Sequence, residues 1–216
     1  VGAGRGGLGG RKLRQLLEWN NTPPATYARV NTLKTDSSQL VERWREEGVD
    51  YDFKTWDWTG ENLVFALKSH PPLMSLGSFR DGWFYIQDPS TLLAVSELNP
   101  QPGETILDLC AAPGGKTTFI AQLMNNEGKI VACDISEERL NLIRENCQRL
   151  NVTCVETRAL PPHPGPLPAR EGEFSRKTKW RNLPDVRRKS EKAQLAVPSP
   201  GGEGQGEGER FDRILL

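Results

Sequence analysis

The segment best equipped for chemistry is Asp108-Leu109-Cys110-Ala111-Ala112-Pro113-Gly114-Gly115-Lys116-Thr117. It follows a short apolar run, Thr105 to Leu109, and precedes a stretch of helical period, Lys116 to Met124, so it should turn a strand into a helix. At such a turn main-chain N–H groups face the crevice beyond the strand ends, and small side chains let a ligand reach them. Ala111, Ala112, Gly114 and Gly115 meet that demand. A second apolar run, Lys129 to Cys133, leads into Asp134, roughly 20 residues past the glycines, where an acid can accept hydrogen bonds from both hydroxyls of a ribose.

Two ligand classes compete for this loop. Gly115-Lys116-Thr117 matches the end of a phosphate-binding P-loop, but Cys110 stands where that motif needs its first Gly, and Pro113 stiffens the cradle. Dinucleotide binding would ask for G-x-G-x-x-G, which the loop lacks. S-adenosylmethionine carries an adenosyl group and no phosphate, and fits loop and acid together. A P-loop-like NTPase is the competing reading, separable by ligand binding. Plainer roles also exist: Cys110 as a small buried residue, Lys116 as a helix-start cation, Asp108 as a cap for loop amides.

The surrounding elements read as a parallel strand–helix alternation. Ser136 is placed to cap a helix from Glu137 to Leu150, with Leu140, Ile143, Cys147 and Leu150 on its buried face. Val152 to Thr157 reads as a third strand and Phe211 to Leu216 as a fourth, making 104–216 an incomplete Rossmann-like α/β domain of class I methyltransferase type. Between these strands, 161–209 is rich in Pro, Gly and charge without period and reads as a disordered insertion.

Upstream, 25–88 alternates differently. Strands are expected at Tyr27 to Thr32, Tyr51 to Trp56, Leu63 to Lys68 and Trp83 to Gln87. Helices are expected from Asp36 to Glu47, stopped at Gly48, and near Leu73 to Phe79. The order β-α-β-β-α-β is that of a small ferredoxin-like, RRM-like α+β domain. Residues 89–103 form a helix and linker, and 1–24 a Gly-rich tail and a short amphipathic helix.

Composition excludes more than it suggests. Lys plus Arg equals Asp plus Glu at 28 each, so any nucleic-acid footprint must be local. Cys110, Cys133, Cys147 and Cys154 lack CxxC spacing, and His70 and His163 stand far apart, which argues against a metal site. No apolar run is long enough to span a membrane, so the expectation is a cytoplasmic monomer with free thiols. Val1 in place of Met, and an end inside the apolar Ile214-Leu215-Leu216, suggest a chain cut at both ends.

At LDLCAAPGGKTT, from Leu107 to Thr118, with Asp134-Ile135-Ser136 and Arg139-Leu140, the sequence resembles RNA cytosine-5 methyltransferases of the Nol/Nop/Sun type, nearest the bacterial small-subunit rRNA methyltransferase B group. Arg29-Val30-Asn31-Thr32-Leu33-Lys34 is similar to that family's RNA-binding domain, Gln87-Asp88-Pro89-Ser90 to its domain junction, and Phe211 to Leu216 to its fourth strand. The resemblance implies that Cys110 to Lys116 enclose S-adenosylmethionine, that Asp134 holds its ribose, and that Arg29 and Asn31 meet RNA, in all expectation rRNA. In such enzymes a cysteine thiolate adds to C6 of cytosine so that C5 can take the methyl group, and a second cysteine assists release. Both cysteines belong to a region beyond Leu216, so this chain alone is expected to be inactive; a non-catalytic RNA- or cofactor-binding remnant is the alternative. Glu156 reads as a strand residue, leaving the acid for the adenine amino group unidentified.

Overall fold

Two four-stranded sheets account for the strands of the computed structural model, which describes residues 10–160 and 210–215. The Gly-rich start, the 161–209 segment and Leu216 lie outside the described residues. A helix, α1 (Gly10–Asn20), leads in, with Leu13, Leu16 and Leu17 exposed.

The first sheet is built from β1 (Thr26–Val30), β2 (Asp50–Lys54), β3 (Val64–Ser69) and β4 (Phe84–Ile86), in the order β2-β3-β1-β4 and antiparallel throughout. With α2 (Ser37–Glu47) and a short α3 (Gly77–Arg80), this is the expected ferredoxin-like arrangement. Local chemistry fixes α2 at both ends. The Asp36 carboxylate accepts from Gln39 N at 2.9 Å, and Gly48 closes the helix at φ +72°. Leu40, Val41 and Trp44 then face the sheet, where Trp44 meets Phe65 and Phe84 edge-on at 5.3 Å.

Alternation gives β1 two faces with different duties. Ala28 and Val30 enter the core beneath α2, whereas Tyr27 and Arg29 point the other way, as do Val64 and Tyr85 on the neighbouring strands. That second face packs on the larger domain and is not an open platform.

The larger domain begins after α4 (Ser90–Leu98). Its sheet comprises β5 (Thr105–Asp108), β6 (Lys129–Asp134), β7 (Val155–Ala159) and β8 (Arg213–Leu215), all parallel, in the order β7-β6-β5-β8. Together with α4, α5 (Gly115–Leu123) and α6 (Glu137–Leu150) bury one face over Ile106, Ile130 and Ala132. A smaller cluster of Leu107, Val131, Cys133 and Phe211 covers the other. The third parallel strand starts three residues later than the period suggested, at Val155, because Val152 N is taken by Cys147 O at 2.8 Å in the closing turn of α6. β8 is tied in by Thr105 N donating to Asp212 at 2.9 Å and by Arg213 Nε against Glu104 at 2.6 Å.

Candidate functional site

β5 stops at Asp108, opposite Ala132 of β6, while β6 runs on to Asp134, so the chain leaving β5 folds back over the end of its neighbour. Ala111 N donates to Cys133 O at 3.0 Å and pins the return. Gly114 then turns the chain at φ +102°, with its α-carbon side facing Ile143, and α5 starts at Gly115. A Cβ there would sit 3.5 Å from the Ile143 backbone. Asn146 donates to Pro113 O at 2.9 Å, so α6 steadies the turn from behind.

Two buried carboxylates flank this turn. Asp108 accepts from Thr117 Oγ1 at 2.8 Å and from Cys110 N at 3.3 Å. Burial pushes its carboxyl above the ordinary range, an effect moderated by the Thr117 hydroxyl and the Lys116 cation. Asp134, 3% exposed, accepts from Ala112 N at 3.3 Å, Ile135 N at 2.9 Å and Ser136 N at 3.4 Å. Arg139 links the two sides, its guanidinium 3.5 Å from Asp134 Oδ1 and 3.2 Å from Ala112 O. Among the described residues, the N–H groups of Gly115, Lys116 and Thr117 have no protein partner, which leaves donors at the positive end of α5.

The structure therefore brings Cys110, Ala111, Ala112, Pro113, Gly114, Gly115 and Lys116 into one turn, with Asp134 against it. Cys110 is exposed there rather than buried, and Asp108 does cap a loop amide. Cys133 and Cys147 are buried elsewhere, and Cys154 precedes β7 at the opposite edge of the sheet. Glu156 pairs with Val131 in mid-strand and binds Lys129 and Arg158, so it lies off the turn.

Arg29 and Asn31 need correction. Expected to face RNA, they are 1% and 2% exposed and spend their donors on the protein itself. Arg29 reaches Gln87, Gly115 O and Thr118; Asn31 reaches Gly82 O and Leu150 O, both at 2.8 Å. The reason is topological: these side chains leave the sheet on the face that docks against the larger domain. Sequence reasoning also passed over Asn146 and Arg149, whose partners are distant in the chain, and named Arg139 and Gln87 only as part of the resemblance, without the contacts they make.

A parallel sheet with a small-residue turn after one strand and a buried acid ending the next defines a Rossmann-like methyltransferase domain, here joined to a ferredoxin-like one. The comparisons agree. The family described as 16S rRNA methyltransferase RsmB/F matches residues 95–161, and an RsmF/B-like ferredoxin-like domain matches residues 8–63. The chain belongs to this RsmB/F methyltransferase family. It is 39% identical over 143 residues to the human 28S rRNA (cytosine(4447)-C(5))-methyltransferase, covering 66% of this chain and 17% of that protein. It is 34% identical over 138 residues to the probable ribosomal RNA small subunit methyltransferase B of Bacillus subtilis, covering 64% and 30%. A solved methyltransferase homologue from Pyrococcus horikoshii superposes with a TM-score of 0.62 at 38% identity, covering 71% of this chain and 49% of that one. The chain thus spans a third or less of the curated relatives it matches.

Proposed function

We propose that this chain supplies the cofactor seat and the adjoining small domain of an S-adenosylmethionine-dependent RNA methyltransferase that modifies C5 of cytosine in rRNA. The observation that carries the reading is the Asp134 carboxylate standing against the 110–116 turn on adjacent parallel strands, 3.3 Å from Ala112 N. The names of the relatives supply the substrate class.

The residues present fit the cofactor. Asp134 offers a charged acceptor for a ribose diol, and the turn offers unpaired amides behind small side chains. When bound, S-adenosylmethionine supplies a methyl group made electrophilic by its sulfonium. Asp134 would hold the ribose, Ala111, Ala112, Pro113, Gly114 and Gly115 would leave room for the methionine and adenosyl portions, and Cys110 and Lys116 would edge the seat. Asp108 keeps the turn in shape by holding Thr117 and Cys110 N.

The thiols that act on the base are proposed to lie outside this chain: Cys133, Cys147 and Cys154 are buried or remote, and Cys110 belongs to the seat. The 216-residue chain should therefore bind cofactor without turning over. We place it in the cytosol as a monomer, where its thiols would stay reduced. Among the described residues no helix is long and apolar enough to cross a membrane, and no group of His, Cys, Asp and Glu could hold a metal ion.

Calorimetry with S-adenosylmethionine and with ATP tests the assignment. Saturable binding of the first and none of the second is expected. Binding of ATP alone would hand the turn to a P-loop-like NTPase, and labelled methyl transfer to rRNA cytosine by this chain would refute the placement of the cysteines.

A further inference from the structure

Among the described residues, Arg29 is a buried cation held by no carboxylate. Its Nη1 donates to Gln87 Oε1 at 2.5 Å and to Gly115 O at 3.0 Å, its Nη2 to Thr118 Oγ1 at 3.0 Å, while Nε has no partner among those residues. The guanidinium lies between two rings, 5.4 Å from that of Tyr85 and 4.9 Å from that of Phe119. Burial pulls its pKa down to about 9, so it stays charged at neutral pH. An apolar residue of similar volume would fill such a seam with less desolvation cost, so stability alone does not account for a charge here.

The partners show what the charge does. Two of its three acceptors, Gly115 O and Thr118 Oγ1, belong to the first turn of α5, immediately after the small-residue loop. The carbonyl of Gly115 and the N–H of Lys116 share one planar trans peptide and point in opposite directions. Pulling that carbonyl toward the small domain aims the Lys116 N–H away from it, and Lys116 N is one of the amides without a protein partner. Thr118 also donates to Gly115 O at 3.3 Å, which closes a small network around the same peptide.

A second set of bonds, from residues just after the same strand, provides an internal contrast. Lys34 Nζ donates to Asp81 O and Arg149 O, each at 2.8 Å. With Asn31 on Leu150 O, Lys34 grips the C-terminal end of α6, beyond the Asn146 that bonds Pro113 O. Gly82 comes so close there that a Cβ would lie 1.9 Å from Arg149 O. Of these bonds across the seam, and those from Arg149 to Phe79 O and Phe84 O, only Arg29's reach the start of α5.

We propose that Arg29 is a positioning residue for the cofactor turn: through it the docked small domain sets the direction of the Gly115–Lys116 peptide, and thereby the affinity of the seat. The identity of the ligand rests on the function proposed above; the positioning role does not. It also gives the ferredoxin-like domain a task in cofactor binding as well as any task on RNA.

The test pairs amide hydrogen exchange of the ligand-free chain with calorimetric titration of S-adenosylmethionine. In Arg29→Met, exchange at Thr118, whose N–H is bonded to Gly114 O at 2.8 Å, should rise about tenfold and the Kd should weaken about tenfold, the scale of a moderate coupling. Arg29→Lys, whose ammonium cannot span Gln87 and both α5 acceptors, should behave like Arg29→Met rather than rescue it. Lys34→Met should lower the unfolding temperature while leaving both readouts within about threefold of wild type. Should Arg29→Met fail to fold, Thr118→Val removes one acceptor at nearly constant volume and reads the amide at the same position. Wild-type exchange and wild-type Kd in Arg29→Met, or in Thr118→Val where that stands in for it, would overturn the proposal, as would a Lys34→Met variant that shifts both readouts equally. If the wild-type chain binds no S-adenosylmethionine but first-turn exchange still follows Arg29, the ligand assignment falls and the positioning role stands.

Discussion

Replacing Asp134 separates what the carboxylate does for the protein from what it does for the ligand. In the ligand-free chain it accepts from Ala112 N, Ile135 N and Ser136 N at 3.3, 2.9 and 3.4 Å. Ala112 is 9% exposed, so in Asp134→Ala its N–H loses an acceptor that water cannot easily replace, at a cost of about 1–3 kcal/mol. Ile135 and Ser136 lie nearer solvent and cost little. For a chain of this size that loss corresponds to a fall of roughly 2–12 °C in Tm, so the variant folds but is measurably weakened. Binding should suffer more. Two hydroxyls donating to a charged acceptor contribute about 1.5–3 kcal/mol each, so S-adenosylmethionine should bind about 10²–10⁴-fold more weakly. Asp134→Asn should lose most of the same affinity but less stability, because its carbonyl oxygen can still serve one amide. Circular dichroism, a thermal melt and calorimetry on the three proteins read these quantities. A Kd within about threefold of wild type in a folded Asp134→Ala protein would refute the ribose role.

Three further outcomes follow from the same geometry. Gly82→Ala, at φ +73° and with its new Cβ 1.9 Å from Arg149 O, should destabilise the chain by more than about 2 kcal/mol; a melt within about 2 °C of wild type would show that the seam is not closely packed. Under native thiol labelling the exposed Cys110 should react first, and saturating S-adenosylmethionine should slow it. Cys147, whose thiol burial pushes up to about 12, should stay silent, and unchanged Cys110 labelling in the presence of ligand would move the seat elsewhere. Asp108 has a folded-state pKa raised above 3.8, so the stability tied to it is complete below that value and is lost as pH rises through the raised one. The stability of wild type minus that of Asp108→Asn should accordingly fall with rising pH and then level off; a flat difference between about pH 3 and 8 would refute the cost of the buried charge.

What could be read from the sequence was what short range determines. Asp36 before a helical period and Gly48 after it named both ends of α2, and Ser136 does accept from Arg139 N at 3.4 Å. The turn and Asp134 were legible because strand, small residues, helix, strand and acid occur in order. The seam was not legible. Arg29 and Gln87 are 58 residues apart and Asn31 and Leu150 are 119 apart, so no local pattern tells a face that docks from a face that meets RNA. A buried arginine and an exposed one look alike in sequence, and only the second layer of packing decides between them. The late start of β7 has a similar origin: Val152 is apolar and β-branched, but the closing turn of α6 claims its amide before the strand can.

Two buried carboxylates sit at the ends of adjacent strands, and physical reasons assign them different work. Asp108 is 0% exposed and both its oxygens hold the turn, Oδ2 the Thr117 hydroxyl and Oδ1 Cys110 N. It has no free face to offer, and the charge of Asp134 adds to the burial that already raises its pKa. Asp134 stands one strand over and farther along, faced by Arg139, and is held closely by Ile135 N alone, at 2.9 Å, its contacts with Ala112 N and Ser136 N being longer, at 3.3 and 3.4 Å. Loosely held acceptor capacity beside a guanidinium is what a ribose can take over at little cost, since the amides that let go can relax toward water or ligand oxygens. On the proposed function, Asp108 would build the seat and Asp134 would meet its occupant; exchanging the two roles would require breaking the 2.8 Å Thr117 bond at the first turn of α5.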